Sequence, residues 1–268
     1  MGKVFAIVNQ KGGVGKTTTA VNLGACLASQ KKKTLLIDID PQGNATSGLG
    51  VDKNGVEHSV YEALLNHISV ENLRISTEIP CLDLIPSNRQ LTGAEVELVE
   101  FEGRESKLRL ALEKIKDGYE FILIDCPPSL GLLTVNSLVA ANAVIVPIQC
   151  EYYALEGMSQ LLEAIRLVKR NLNPYLKVEG IVLTMADGRI SLSGQVVDEV
   201  KRFFGDKVYQ TIIPRNVRLS EAPGFGKPII LYDGYCVGAE AYRQLAKEVM
   251  NSGEESFGEG PGGLDSRS

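Results

Sequence analysis

The 268-residue chain has no run approaching the 18 or so consecutive apolar residues that a helix needs to cross a bilayer, so no membrane-spanning helix is expected. Its first residues, Met1-Gly2-Lys3-Val4-Phe5, lead straight into a strand pattern, without a signal-type apolar region or small-residue cleavage site. Ala6 stands where a myristoylation motif requires Ser or Thr. None of the five cysteines, Cys26, Cys81, Cys126, Cys150 and Cys236, belongs to a CxxC pair. An odd number without metal-type spacing excludes a paired-cysteine zinc site and points to reduced thiols packed in a core, as in the cytosol. There is no internal repeat, and no linker-like composition precedes residue 251. Excess positive charge is also missing: the net charge is −5, which by itself argues against a nucleic-acid binder. Its distribution qualifies that exclusion, because residues 160–230 hold 11 Lys/Arg against 7 Asp/Glu, a local +4. A basic segment on an acidic chain suggests one charged face.

What the chain does contain is an ordinary globular composition, 44% hydrophobic and 23% charged, enough for a sizeable core. Apolar, partly β-branched runs at Val4–Val8, Thr34–Ile39, Phe121–Ile124, Ala143–Ile148, Lys177–Met185 and Val208–Ile213 predict six strands, and Leu82–Ile85 offers another. Helical patterns fall at Lys16–Ser29, Val60–Asn66, Ala94–Phe101, Ser106–Lys116, Leu132–Ala141, Leu155–Leu172, Leu192–Phe204 and Ala239–Met250. Continuous apolar strands alternating with helices predict an α/β fold, a mostly parallel twisted sheet flanked by helices. One domain is expected over residues 1–250. The tail Asn251–Ser268 is rich in Gly, Glu and Ser with two apolar side chains, too few to offset its ordering entropy, and is expected to be disordered.

Between the first strand and the first helix lies Lys11-Gly12-Gly13-Val14-Gly15-Lys16-Thr17. The usual phosphate loop, GxxxxGK[ST], begins with Gly; here that position is Gln10 and a second lysine, Lys11, follows it. The physics of the loop survives. Gly12, Gly13 and Gly15 let backbone N–H groups converge on phosphate oxygens, and the helix after them points its N-terminal dipole there. Lys16 can reach the β- and γ-phosphates, and the Thr17 hydroxyl can ligate Mg²⁺. A strand ending in Asp125 faces the loop if the sheet is parallel, a position suited to holding Mg²⁺ through water. Asp38 and Asp40 close the second strand. Asp40, before Pro41, is the candidate to orient or deprotonate the attacking water, and Asp38 to make a buried structural hydrogen bond.

These residues carry a resemblance. NQKGGVGKTTTAVNLG (9–24), LLIDIDPQGNATSGLG (35–50), FILIDCPPSLGLLTVNSL (121–138), QCEYYALEGMSQLL (149–162) and IIPRNVRLSEAPGFGKPI (212–229) are similar to the deviant Walker A P-loop ATPases and, within them, to the ParA/Soj partition proteins. The resemblance covers all but the tail. It implies a slow, dimer-dependent ATPase using ATP and Mg²⁺, in which two subunits close face to face and Lys11 of each crosses to the other's nucleotide, as an arginine finger does in trans. Gly12 would lie at that contact. ATP would be held by residues 11–18, from Lys11 to Thr18, with Pro214 and Asn216 at the base. Arg189, Lys201, Arg202, Arg215 and Arg218 match or neighbour DNA-contacting positions. Few aromatics accompany them, which suits backbone rather than base contacts. Ala186 is smaller than the residue relatives often carry there. The implied partners are a second copy of the chain, non-specific duplex DNA and a ParB/Spo0J-type centromere-binding protein whose basic N-terminal segment stimulates hydrolysis. The implied place is the cytoplasm, at the nucleoid.

Three other readings compete, one of them a non-enzymatic DNA-binding or scaffolding module, against which Lys11, Lys16 and Asp40 together argue. A MinD-type membrane-cycling ATPase shares the loop but usually has Gly before the first lysine and a basic amphipathic C-terminal helix; here Gln10 and an acidic C-terminal segment stand instead. An iron–sulfur reductase would need two cysteines per subunit converging on one cluster; Cys126 and Cys150 lie beside strand ends, but with the wrong flanks.

Overall fold

The computed structural model describes residues 2–65, 67–151, 154–155 and 157–252. In chain order the elements are β1 (Lys3–Ile7), α1 (Lys16–Ser29), β2 (Thr34–Asp38), α2 (Asn44–Gly48), α3 (Val60–Leu64), β3 (Ile75–Ser76), β4 (Leu82–Ile85), α4 (Leu91–Glu97), α5 (Lys107–Leu112), β5 (Phe121–Asp125) and α6 (Leu132–Ala140). There follow β6 (Ala143–Gln149), α7 (Met158–Asn171), β7 (Lys177–Ala186), α8 (Ser191–Phe204), β8 (Val208–Pro214), α9 (Val217–Glu221), α10 (Ile229–Tyr232) and α11 (Val237–Asn251).

The strands form one sheet in the order β3-β4-β2-β5-β1-β6-β7-β8. Every pairing is parallel except β3 with β4. Because side chains alternate along a strand, each apolar run serves two cores. Val4, Ala6, Ile122 and Ile124 face a cluster shared with α3, α5 and α7, while Phe5, Ile7, Phe121 and Leu123 face one built with α1 and α11. Burial on both faces is why these strands read as unbroken apolar runs instead of alternating ones. β1 lies between β5 and β6, so the chain leaves it first toward one sheet edge and later toward the other. The crevice at the carboxyl ends of strands beside such a reversal is where ligands bind in open α/β sheets.

All six strands expected from the sequence are present, and Leu82–Ile85 forms β4. Several helices differ from expectation. α4 begins three residues earlier than the pattern at Ala94 and hands over to a 3₁₀ turn at Leu98–Glu100, while α5 spans only Lys107–Leu112 of the expected Ser106–Lys116. α2, α9 and α10 are short helices with too few residues to show a periodic face, and the two-residue β3 is set only by its pairing with β4. The expected helix end at Asn66 lies outside the described residues, as does Glu156 within the stretch expected to be helical before α7. So does all of the expected tail beyond Ser252. Among the described residues no helix is long and apolar enough to cross a membrane.

The cysteines divide. Cys26, Cys126 and Cys150 are buried as expected, but Cys81 is exposed and Cys236 half-buried, its Sγ accepting from the Ala239 N–H at 3.4 Å at the start of α11. Burial pushes the Cys126 and Cys150 thiols up to about 12 and about 11. Burial thus disfavours the reactive thiolate at both positions.

Candidate nucleotide and metal site

The loop between β1 and α1 is tied down on both sides. Asn9 Nδ2 donates to the Pro147 carbonyl at 2.7 Å and Asn9 Oδ1 accepts from Lys11 N at 3.0 Å. From β7, Thr184 Oγ1 donates to the Val14 carbonyl at 2.8 Å. Gly13 and Gly15 take left-handed conformations, φ 74° and 88°, which only glycine adopts without cost. Gly12 is different: its φ is not left-handed, and a methyl group added there would meet nothing within 4 Å. Gly15→Ala should therefore cost about 1–2 kcal/mol, roughly 2–6 °C of melting temperature. Gly12→Ala should leave the melting temperature of the isolated chain within about 1 °C, a contrast that thermal denaturation reads directly.

The two loop lysines face different surroundings. Lys16 is 7% exposed, and its ammonium donates to the Lys11 carbonyl at 3.1 Å. Burial lowers its pKa, and the charge of Asp125, and more weakly of Asp40, opposes the shift. Lys11 is half-buried on the rim beside the exposed Gly12.

Three strand-end carboxylates converge beside this loop. Asp125 pairs in register with Ile7 on one side and Asp38 on the other. It is fully buried, and neither carboxylate oxygen makes a well-formed hydrogen bond, the Thr17 hydroxyl being near enough only for a weak interaction. Desolvation first, then the charge of Asp38, pushes its pKa well above the carboxylate range, with Thr17 and Lys16 pulling the other way. A buried carboxylate with neither oxygen in a well-formed hydrogen bond, beside a hydroxyl and at the mouth of a glycine loop, is a donor set for a hard divalent cation. Asp38 is as buried but fully engaged: Oδ2 accepts from Thr46 N and Thr46 Oγ1, both at 2.7 Å, and Oδ1 from Asp40 N at 3.2 Å. Burial raises it to about 6 in spite of these bonds. Asp40, 7% exposed, accepts from Gln42 N at 2.9 Å through Oδ1. Asp38 thus makes buried structural hydrogen bonds, as expected of it.

A cavity of about 220 Å³ adjoins the loop, lined by Gly15, Thr18, Pro214, Asn216, Leu219 and Tyr242 among others. Its apolar walls with a few polar groups suit a planar base, and it brings Pro214 and Asn216, distant in sequence, next to the loop. Asn216 Oδ1 is already engaged, capping α9 through Arg218 N at 2.8 Å.

The five basic residues singled out from the sequence are exposed, but three are paired. Arg189 holds Asp187 along one guanidinium edge, Nε donating to Oδ1 at 2.9 Å and Nη2 to Oδ2 at 2.7 Å, Arg215 reaches Glu151 at 3.1 Å, and Arg218 bridges Glu221 at 3.0 Å and Asp233 at 3.4 Å. Lys201 and Arg202 sit in the last turn of α8, where they also favour the helix dipole. Sequence reasoning missed Thr184, Thr46 and Ser87. Thr184, at the mouth end of an apolar strand, carried a signal; the other two lie in loop or short-helix segments.

A family model described as an AAA domain matches residues 2–178. The sporulation initiation inhibitor protein Soj of Bacillus subtilis (strain 168) is 60% identical over 253 residues, covering 94% of this chain and 100% of that protein. The chromosome partitioning protein ParA of Myxococcus xanthus is 56% identical over 250 residues, 93% of this chain and 88% of the relative. Among solved structures, one named cobyrinic acid a,c-diamide synthase from Mycobacterium smegmatis, with bound ADP and magnesium, superposes with a TM-score of 0.85 at 38% identity, covering 96% of this chain and 97% of that one.

Proposed function

Since the chain belongs to the ParA/Soj family of chromosome-partitioning ATPases, we propose that it works as a nucleotide-timed DNA clamp in chromosome or plasmid segregation. With ATP and Mg²⁺ bound, two copies close face to face, the dimer holds duplex DNA without reading its sequence, and a ParB/Spo0J-type partner ends the state by stimulating hydrolysis. The protein acts in the cytoplasm at the nucleoid, and no step needs a membrane.

One observation supports this best: the two lysines of a single glycine loop stand apart, Lys16 turned into the carboxylate cluster and Lys11 left at the rim beside Gly12. In this reading residues 11–18 hold the phosphates, Pro214 and Asn216 the base, and Thr17 and Asp125 the cation. Magnesium supplies charge neutralisation on the phosphates when bound. Lys16 balances phosphate charge within its own subunit, Asp40 orients the attacking water, and Lys11 completes the site across the dimer. Nothing in the chain's own packing calls for glycine at 12, which fits a position kept small for the opposing subunit. Gly12→Val should accordingly bind ATP and melt as wild type yet lose most turnover; unchanged turnover would count against the sandwich.

Arg189, Arg215 and Arg218, with Lys201 and Arg202, form the DNA surface in this reading, and the paired carboxylates hold part of its charge in check. Arg189→Glu with Arg218→Glu should abolish DNA retention and leave nucleotide binding intact. Asp187→Asn should tighten it several-fold, since exposed ion pairs are worth only about 0–1 kcal/mol and the change also removes a charge facing phosphate. Wild-type binding should fall steeply with salt; filter binding between 50 and 200 mM salt, the range over which such contacts weaken by orders of magnitude, measures all three. The proposal as a whole is tested by the ATPase rate with duplex DNA and a basic partner-derived peptide, separately and together. Joint stimulation is the expected result, and a rate indifferent to both would refute it.

A further inference from the structure

Asp40 stands in a closed ring of hydrogen bonds that the phosphate loop does not supply. Its N–H donates to Asp38 Oδ1 at 3.2 Å. Asp38 Oδ2 accepts from the Thr46 hydroxyl at 2.7 Å, and that hydroxyl accepts from Ser87 N at 2.9 Å. Ser87 Oγ closes the ring by donating to the Asp40 carbonyl at 2.7 Å. Asp38, Thr46 and Ser87 are each 0% exposed. The ring joins three separate segments: the end of β2, the first turn of α2, and the residues just past β4. The last of these is itself anchored, with the Pro86 carbonyl accepting from Val60 N at 2.9 Å.

Asp40 needs such a clamp. It lies beyond the end of β2, so the sheet ladder does not hold it, and Pro41 after it has no N–H to give. Its side chain has a single bond, from Gln42 N. The Asp40 carbonyl also accepts from Gly43 N at 2.9 Å, so the Ser87 hydroxyl is not required merely to satisfy a buried acceptor. What it adds is direction, since a second donor from a separate segment fixes the plane of the peptide on which the Asp40 side chain is mounted.

We infer that Ser87, acting with Thr46 through the hydrogen-bond ring to Asp38, is a positioning residue for hydrolysis that holds Asp40 in the geometry needed to aim water at the nucleotide. The inference deepens the reading given above and rests on its assignment of Asp40. Ser87 touches neither nucleotide nor water. Its loss acts on the chemical step and leaves ATP binding alone, because the loop residues that hold the phosphates have their own anchors at Asn9 and Thr184.

The test uses the full chain with ATP, Mg²⁺ and duplex DNA, measuring kcat, KM and nucleotide affinity for four variants. Ser87→Ala should lower kcat on the order of ten- to a hundredfold, the scale of a small misplacement of a reacting group, with KM within about twofold. Ser87→Thr, which keeps the hydroxyl, should restore most of the rate. In an Asp40→Ala background, Ser87→Ala should produce no further loss, since the residue it positions is gone. Should Ser87→Ala fail to fold, Ser87→Cys, a similar volume with a weaker donor, takes its place with an intermediate kcat expected. A Ser87→Ala rate equal to wild type beside an inactive Asp40→Ala overturns the inference and leaves the Asp40 reading standing, as does an additive loss in the double variant. A fully active Asp40→Ala instead removes the reading itself.

Discussion

Lys16→Ala should bind ATP at least about thirtyfold more weakly than wild type and show no measurable hydrolysis. The Lys16 ammonium is buried, depressed in pKa by desolvation, and held in a pocket with Asp125 and Asp40. Such a charge, surrounded by fixed partners and screened from water, interacts far more strongly with a phosphate than a surface lysine does. Removing one partner of a buried charge interaction typically costs about 2–5 kcal/mol, which is the expected loss of affinity. Lys11→Ala should behave differently. In the isolated chain Lys11 contributes its backbone, N–H to Asn9 and carbonyl to Lys16, and alanine supplies both. ATP affinity of the Lys11 variant should stay within a few-fold of wild type while turnover disappears. Titration with a fluorescent ATP analogue alongside phosphate release separates the two lysines. Equal loss of affinity in both variants would mean that both serve the same subunit's nucleotide.

Asp125→Asn should produce opposite effects on stability and activity. The carboxyl is fully buried with neither oxygen in a well-formed hydrogen bond, and Asp38 lies opposite it in register. Because its folded-state pKa is raised, the folded state holds its proton more tightly than the unfolded chain does. The contribution of this group to stability is therefore greatest below the unfolded value near pH 4 and falls as the pH rises toward the folded pKa. Asp38, raised to about 6, contributes with the same sign between about pH 4 and 6. At neutral pH the nucleotide-free protein thus carries a penalty at this site that a bound cation would relieve. Asp125→Asn removes a buried carboxyl that faces Asp38, so the nucleotide-free variant should melt roughly 2–4 °C higher at pH 7.5, about 1 kcal/mol, with a smaller gain at pH 5. The additional stabilisation by Mg²⁺ with ATP should be lost, and hydrolysis should fall by about two orders of magnitude or more. A variant that melts below wild type without nucleotide, yet keeps the Mg²⁺ increment, would contradict a cation site at Asp125.

Much of this was legible in the sequence because the decisive features are local. The glycine loop needs only neighbouring residues to take shape, and Asp125 is marked by the apolar strand it terminates. The parallel sheet follows from strands too apolar to face water on either side. Other features depend on contacts that no local pattern encodes. Thr184 reaches Val14 across 170 residues of chain and Ser87 reaches Asp40 across 47. Thr184 is at least marked by its place near the end of an apolar strand, whereas Ser87 does not differ, as sequence, from a surface hydroxyl. The arginines show both cases. The pairings of Arg189 with Asp187 and Arg218 with Glu221 are two and three residues apart, whereas Arg215 with Glu151 needed the fold to bring the residues after β8 and β6 together across β7. The boundaries of α4 and α5 were misread for a related reason. Neither helix has a side-chain cap to announce its start, and packing decides where they begin and end.

The central claim is that the loop is half of a two-subunit switch, and the mass of Asp40→Ala in solution tests it most directly. The 29.0-kDa chain should elute from a sizing column with light-scattering detection at one chain's mass with ADP. With ATP and Mg²⁺ it should elute at twice that mass, and the larger species alone should retain duplex DNA. One chain's mass in both nucleotides, or DNA retention that is the same with ADP and ATP, would contradict the account.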